Sequence, residues 1–523
     1  MTLSRLPHNA LALAAVCLTS LMFGLEISGV PTVLPTLETL LHADFRQMQW
    51  IMNAYTLACT TVLMATGALA DRFGRKRIYA ASIVLFAMTS LVCGYAHSAP
   101  VLIVSRFLQG MGGGAMLICQ VAVLSHQFQA GRERSRAFAV WGIVTGIGLG
   151  FGPIVGGLII AVANWQWVFL VHVLISIVAL GLLFAGVQES RDPNAQHLDV
   201  PGVVTLSMSV FGLVYFITQA PVMGFASAGA IGVFGATVAS VIAFIVVEMR
   251  SPRPMFDISV FRVRPFSGAM FGSMGMNFSY WPFMIYLPIY FQVGLGYSSV
   301  KTGLSLLAYT LPTLVIPPVA ERLVLRFGAG RVIPLGLFTI GAGFMLMRFG
   351  VTTEHAGWLS MLPGCLLCGV GLGLTNTPVT NTATGSVSSN RAGMASGIDM
   401  SARMISLAIN IALMGLILVE GVHAYLTRAL PAFSQPALLR VLAEKIAAGG
   451  MSRIAQDSAE LAVADPRGVI VHDALVHGFG LVMLYGMVGA WVLALLGVIV
   501  FGPGARACHH TDSTIDSVCR QSL

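Results

Sequence analysis

Apolar residues in this chain run in blocks of about twenty, broken by short polar stretches, instead of alternating every second position. A block of that length wound as a helix crosses the roughly 30 Å hydrocarbon core of a bilayer. A membrane β-barrel would instead show alternation over about ten residues. Fourteen such blocks are read, at approximately 10–35, 48–70, 78–96, 100–126, 136–162, 166–187, 200–220, 227–248, 266–292, 302–321, 332–349, 357–384, 395–420 and 475–501. The fold class expected is therefore all-α and integral to the membrane.

Composition agrees with the pattern. The chain is 56% hydrophobic and 10% charged, against roughly 25% charged in a soluble domain. Its net charge of +8 invites a nucleic-acid reading, but the basic residues are scattered through short loops, so no nucleic-acid partner is expected. With the N-terminus inside, the short outer loops contain only Arg46 and Lys301 as basic residues. That asymmetry predicts cytoplasmic termini. The first apolar block continues past any plausible signal-peptide length without a suitable cleavage pattern, so it is read as a retained span. The cysteines fall mostly within spans, and Cys365 and Cys368, a CxxC inside an apolar block, read as packing residues rather than a redox or metal pair.

One polar stretch has unusual detail. Gly67–Arg77, GALADRFGRKR, places Asp71, Arg72, Arg75, Lys76 and Arg77 between two spans, with Gly67 and Gly74 allowing a tight turn. This turn resembles the signature loop between the second and third helices of the major facilitator superfamily of secondary transporters. Further motifs extend the resemblance. Leu25–Pro35 (LEISGVPTVLP) carries an acid followed nine residues later by proline; relatives usually have Asp where Glu26 stands and an amide where Pro31 stands. Arg106–Ala115 (RFLQGMGGGA) matches a fourth-helix motif, and Gly146–Gly157 (GIGLGFGPIVGG) a fifth-helix motif that marks antiporters. Internal similarity between LQGMGGG at Leu108–Gly114 and LCGVGLG at Leu367–Gly373 suggests parallel repeats.

The resemblance, with its span count, is to the fourteen-helix drug:proton antiporter branch. It implies two six-helix bundles, residues 1–190 and 261–505, with two additional helices at 191–260 between them. An outside loop would occupy 421–474, with helix-like runs at Pro436–Ala448 and Ser452–Ala464, and a cytoplasmic tail 506–523.

Chemistry is expected where charge meets apolar sequence. Glu26 lies deep in the first span, where an ionised carboxylate is costly, so it is read as a proton carrier or a counter-ion to a cationic substrate. Arg106 cannot give up its proton and needs a buried partner. The resemblance ties it to proton coupling, with Gln109 one turn along. Asp399 and Arg403 stand four residues apart, read first as a local pair and alternatively, with Asp399, as a second protonatable site. Gly148, Gly152, Pro153, Gly156 and Gly157 form the antiporter motif. Gly67, Asp71, Arg72, Gly74, Arg75 and Lys76 form the gating loop. Asn53, Tyr55, Asn277, Tyr280, Trp281, Gln292, Asn376 and Asn381 are candidates, with Glu26, Gln109 and Arg403, for a polar and aromatic substrate cavity. His172 and His477 are read as satisfied by neighbours.

No phosphate loop, GxSxG, HExxH or zinc-type framework is present, so no cofactor and no metal is expected and an ion gradient must supply the energy. The function expected is proton-coupled export of small amphipathic or cationic compounds from a bacterial cytoplasm through the inner membrane. The protein is expected to act as a monomer, with accessory efflux proteins as further candidate partners. A dedicated exporter of a metabolite, siderophore or lipid shares these motifs. A membrane sensor or lipid-modifying enzyme would need a signalling domain or catalytic motif, and neither is evident.

Overall fold

In lipid, each backbone N–H and C=O must find its partner within the segment, so the long apolar blocks become helices. The computed structural model describes residues 6–128, 131–191, 200–251, 258–352, 357–387, 392–431, 436–448 and 464–502, and these contain helices and no strand. The run 452–464 is outside them except for its last residue, and the 506–523 tail is wholly outside.

The first half comprises α1 (Leu6–Gly29), α2 (Leu34–Leu41), α3 (Phe45–Phe73), α4 (Arg75–Gly94), α5 (Ala99–Gln127), α6 (Gly131–Val162) and α7 (Trp167–Gly186). Pro31 falls in a 3-10 turn, Val30–Val33, between α1 and α2, as its missing N–H requires. Asp44 starts α3 with a reciprocal cap: its carboxylate accepts from the Gln47 amide at 2.7 Å, and the Gln47 side chain accepts from the Asp44 amide at 3.0 Å. Next come α8 (Val200–Met223) and α9 (Ala228–Arg250). α8 packs against α9, α3 and the later helix Ala392–Ala429, whereas α9 fully buries only Ala230, Thr237 and Glu248.

The second half is less regular. It contains α10 (Arg264–Phe278), α11 (Tyr280–Ile289), α12 (Ser299–Thr310), α13 (Pro312–Val315), α14 (Pro317–Phe327), α15 (Ala329–Val351), α16 (Trp358–Gly385), α17 (Ala392–Ala429), α18 (Pro436–Ala448) and α19 (Val469–Phe501). Among the described residues, 11 helices have the length and hydropathy of a span, or 12 when the bent pair Val300–Val315 and Pro317–Phe327 counts as one. The expected second and ninth spans are outside that count. α3 has 29 residues but mixes Asn53, Tyr55, Thr56, Thr60 and Thr61 into its apolar run, and the ninth is interrupted at Ser279 between α10 and α11.

The internal repeat has a packing counterpart. Gly112 brings α5 so close to α4 that an added Cβ would be 2.9 Å from the Phe86 amide nitrogen, and Gly371 does the same for α16 on α15, 2.6 Å from the Gly336 carbonyl. The halves meet through α6 with α12 and α13, and through α3 with α17. Polar contacts join them from the middle of the bundle toward the end carrying α18. Thr310 donates to the Gly150 carbonyl at 2.7 Å, Gln292 to the Thr32 carbonyl at 3.2 Å, and Gln49 to the Tyr286 hydroxyl at 3.2 Å. α18 itself rests on α17 and α3, with Arg46 3.5 Å from Glu444.

Candidate functional site

Glu26, on α1, has no solvent exposure, and neither has Arg106 on α5. Their side chains form an ion pair through Arg106 Nη1 and Glu26 Oε1. The other carboxylate oxygen is 2.9 Å from His172 Nε2 on α7. Three helices thus bring an acid, a guanidinium and an imidazole together away from water.

The rest of the guanidinium is positioned with equal care. Nε donates to the Ile51 carbonyl at 3.1 Å, and Nη1 also donates to Gln109 Oε1 at 2.7 Å. Gln109 in turn donates to Ser90 Oγ at 2.8 Å. The Tyr55 ring is stacked under the charge, its centroid 4.4 Å from the guanidinium carbon, a favourable cation–π distance. Nη2 has no hydrogen-bond partner among the described residues. Glycine makes this geometry possible: a Cβ on Gly110 would stand 2.2 Å from the Tyr55 carbonyl, so α5 and α3 touch backbone to backbone.

Beside this cluster, between the halves, is a cavity of about 20 Å³, room for roughly one water molecule. Ile27, Met52, Tyr55 and Arg106 from the first half face Trp281 and Met284 from the second. Glu26 is not on its wall. The remaining candidates are dispersed. Gln109 supports Arg106. Asn53 is fully buried with both amide atoms unpartnered among the described residues. Asn277 donates to the Ser273 carbonyl one turn back, and Gln292 bridges the halves near α18. Tyr280 stacks on Tyr309 with centroids 4.1 Å apart, and each hydroxyl donates to the other's carbonyl, at 2.8 and 2.9 Å.

Asp399 and Arg403 do pair, Arg403 Nη2 to Asp399 Oδ2 at 3.1 Å, within a larger network. Ser273 donates to Asp399 at 2.6 Å, and Arg403 reaches Asn376 Oδ1 and, at 2.9 Å, Thr380 Oγ1. Asn381 is exposed and donates to Glu321 at 2.6 Å. This second polar cluster is toward the Gly67–Arg77 end.

Residues 16–410 match the family described as Major Facilitator Superfamily. The chain belongs to that superfamily. Among its relatives, the Multidrug resistance protein Stp of Mycobacterium tuberculosis (strain CDC 1551 / Oshkosh) is 31% identical over 440 residues, 83% of this chain and 81% of that protein. The Tetracenomycin C resistance and export protein of Streptomyces glaucescens is 28% identical over 94% of this chain and 90% of its own. In fold, the chain resembles a D-xylose-proton symporter with a TM-score of 0.58 at 14% identity, over 84% of this chain and 96% of that one.

Two superfamily motifs take defined places in this facilitator. Gly74, at φ 111°, lets α3 reverse directly into α4, a conformation that only glycine adopts without strain. The turn then grips the end of α7: the Arg75 amide donates to the Ser190 carbonyl at 2.8 Å, the Lys76 amide to Glu189 Oε1 at 3.0 Å, and Lys76 Nζ to the Phe184 carbonyl at 2.9 Å. A cation there also complements the helix C-terminus. Arg72 is exposed, Gly67 is in ordinary contact distance of Ile118, and the side chain of Asp71 is outside the described residues.

The α6 motif clamps the helix that carries Glu26. Cβ atoms on Gly148 and Gly156 would fall 2.8 Å from the Leu21 carbonyl and 2.9 Å from the Gly29 carbonyl, and one on Gly152 would collide with Ser28 Oγ. From its other side, α6 offers the Pro153 carbonyl to the close approach of Gly303; Gly157 is buried. One glycine-rich helix therefore touches both the acid-bearing helix and the opposite half.

Proposed function

We propose that this facilitator is a proton-coupled antiporter that exports small amphipathic compounds across a bacterial cytoplasmic membrane, with both termini cytoplasmic. The observation that carries the reading is the buried carboxylate of Glu26, held by Arg106 and His172 beside a cavity that both halves line. A carboxylate so placed can exist as an ion while paired, and it becomes a neutral acid when a proton arrives. Either change alters what Arg106 is bonded to. Since Arg106 is on the cavity wall, proton state and cavity shape are mechanically linked.

Export follows from alternating access. The cross-half contacts near α18 close that end, and their rupture would open it. α6 joins the Glu26 helix to the second half, so a shift of α1 upon protonation is passed to α12 and α13. The names of relatives at about 30% identity, concerned with resistance and export, favour outward movement. Asp399 is proposed as a second protonatable group and Arg403 as part of the inner vestibule, while the Gly67–Lys76 turn latches the first half near its inner end.

The test is substrate-driven proton release from proteoliposomes, comparing wild type with Glu26→Gln across a panel of amphipathic compounds. The amide keeps a hydrogen bond to Arg106 but cannot carry the proton. Wild-type release that falls at least about tenfold in the variant, with the protein still folded, is expected for a coupling group. Undiminished coupling in Glu26→Gln would remove Glu26 from the mechanism.

A further inference from the structure

We infer that α18 is a strap that travels with the second half and clasps the first, so that it must release Arg46 in every transport cycle. The inference rests on the alternating-access reading above and gives it a named moving part. Along α18, Leu439, Leu442, Ala443 and Ile446 recur at helical spacing and are all buried, while Val441 on the opposite side is exposed. That apolar face lies on α17, α3 and α19. The strap therefore bridges the seam between the halves at its end of the molecule.

Two ion pairs hold α18, and they differ in what they join. Arg440 reaches Glu420 of α17 at 2.8 Å, and Glu444, one turn along, is 3.5 Å from Arg46 of α3. The first pair stays within the second half; the second crosses to the first half. Chain connectivity separates them further, because α18 follows α17 and is succeeded by α19, both second-half helices. When the halves part at this end, α18 is carried by α17 and the break falls between Glu444 and Arg46. The side chains of that pair keep 17% and 30% exposure. A partly exposed pair is weak, as a contact made and broken in each cycle must be. One turn along α3, Gln49 crosses the same seam: it donates to the Tyr286 hydroxyl and lies so close over Gly415 of α17 that a Cβ there would be 1.5 Å from its Nε2. Arg46, Gln49, Gly415, Arg440 and Glu444 share the wall of a cavity of about 30 Å³, so the clasp parts where packing is already incomplete.

The experiment uses the full chain with Cys17→Ser, Cys508→Ser and Cys519→Ser, since Cys59, Cys93, Cys119, Cys365 and Cys368 are buried. Two cysteine pairs are bridged by a reducible bis-methanethiosulfonate linker: Arg46→Cys with Glu444→Cys, and Glu420→Cys with Arg440→Cys. In energised proteoliposomes, the first bridge is expected to lower efflux of a fluorescent amphipathic dye at least about tenfold, with recovery on reduction, and the second to leave it within about twofold. Undiminished efflux with the first bridge closed overturns the inference and leaves the export reading intact, as does equal loss with the second. A second arm needs no substrate. Spin labels pair Val441→Cys with Leu40→Cys of α2, or with Thr427→Cys of α17, all exposed positions. The 40–441 distance is expected to hold two populations and the 427–441 distance one. That result without transport of any dye keeps the strap and counts against the export reading; a single 40–441 population, or a split 427–441 distance, overturns the strap.

Discussion

Arg106→Ala yields a protein that is both unstable and silent in transport. The substitution strips Glu26 of its Nη1 partner, leaves the Ile51 carbonyl and Gln109 without their donor, and opens space over the Tyr55 ring. Breaking one side of a buried ion pair costs about 3–5 kcal/mol, chiefly because the other charge is left buried alone. Thermal unfolding of detergent-purified protein checks this. The paired variant Arg106→Met with Glu26→Gln removes both charges at similar volume. It is expected to recover most of the lost stability and none of the coupled transport. If Arg106→Ala melts like wild type, Glu26 is not held as an ion and the proposed coupling is lost with it.

Gly110→Ala disables the site without touching a charge. Its Cβ would stand 2.2 Å from the Tyr55 carbonyl and 2.9 Å from the Tyr55 Cα, backbone that cannot rotate away. α3 must therefore back off from α5, carrying with it the Ile51 carbonyl that holds Arg106 Nε. Overpacking of this kind costs about 1–3 kcal/mol. Misplacing catalytic geometry by about 1 Å can cost 100-fold in rate, so transport is expected to fall by at least tenfold even where protein accumulates. Gly142→Ala is the control: nothing is within 4 Å of its would-be Cβ, and its transport rate should match wild type.

The membrane helices and the charged centre were legible in sequence for one reason. Lipid punishes any departure from apolar helix, so Glu26 and Arg106 stand out against their surroundings. Their pairing was not legible, because 80 residues of chain separate them and only the packing of α1 against α5 brings them together. His172 was visible as an intramembrane histidine, yet its partner depends on how α7 turns against α1. The Asp399–Arg403 pair was readable since helical spacing alone makes it. Apolar lining escaped entirely: Met52, Met284 and Ile27 look like any other residue of a span, whereas polar candidates such as Gln292 and Asn381 lie at contacts near the bundle's ends. The break at Ser279 also left little signal, since the apolar run continues through it.

The neutrality of the Glu26–Arg106 pair bears on how membrane voltage enters the cycle. With Glu26 ionised the two charges cancel, and a carrier moving an uncharged compound outward transfers no net charge. In the proposed cycle, protonation of Glu26 leaves the Arg106 charge uncompensated, and the return step carries one positive charge inward. An inside-negative potential pulls on that step by up to about 2.3 kcal/mol per 100 mV, more than the roughly 1.4 kcal/mol of one pH unit. Export should therefore continue at equal pH on both sides when a potassium diffusion potential is imposed, and stall when that potential is clamped to zero. For the cell, the battery that matters is electrical as much as chemical.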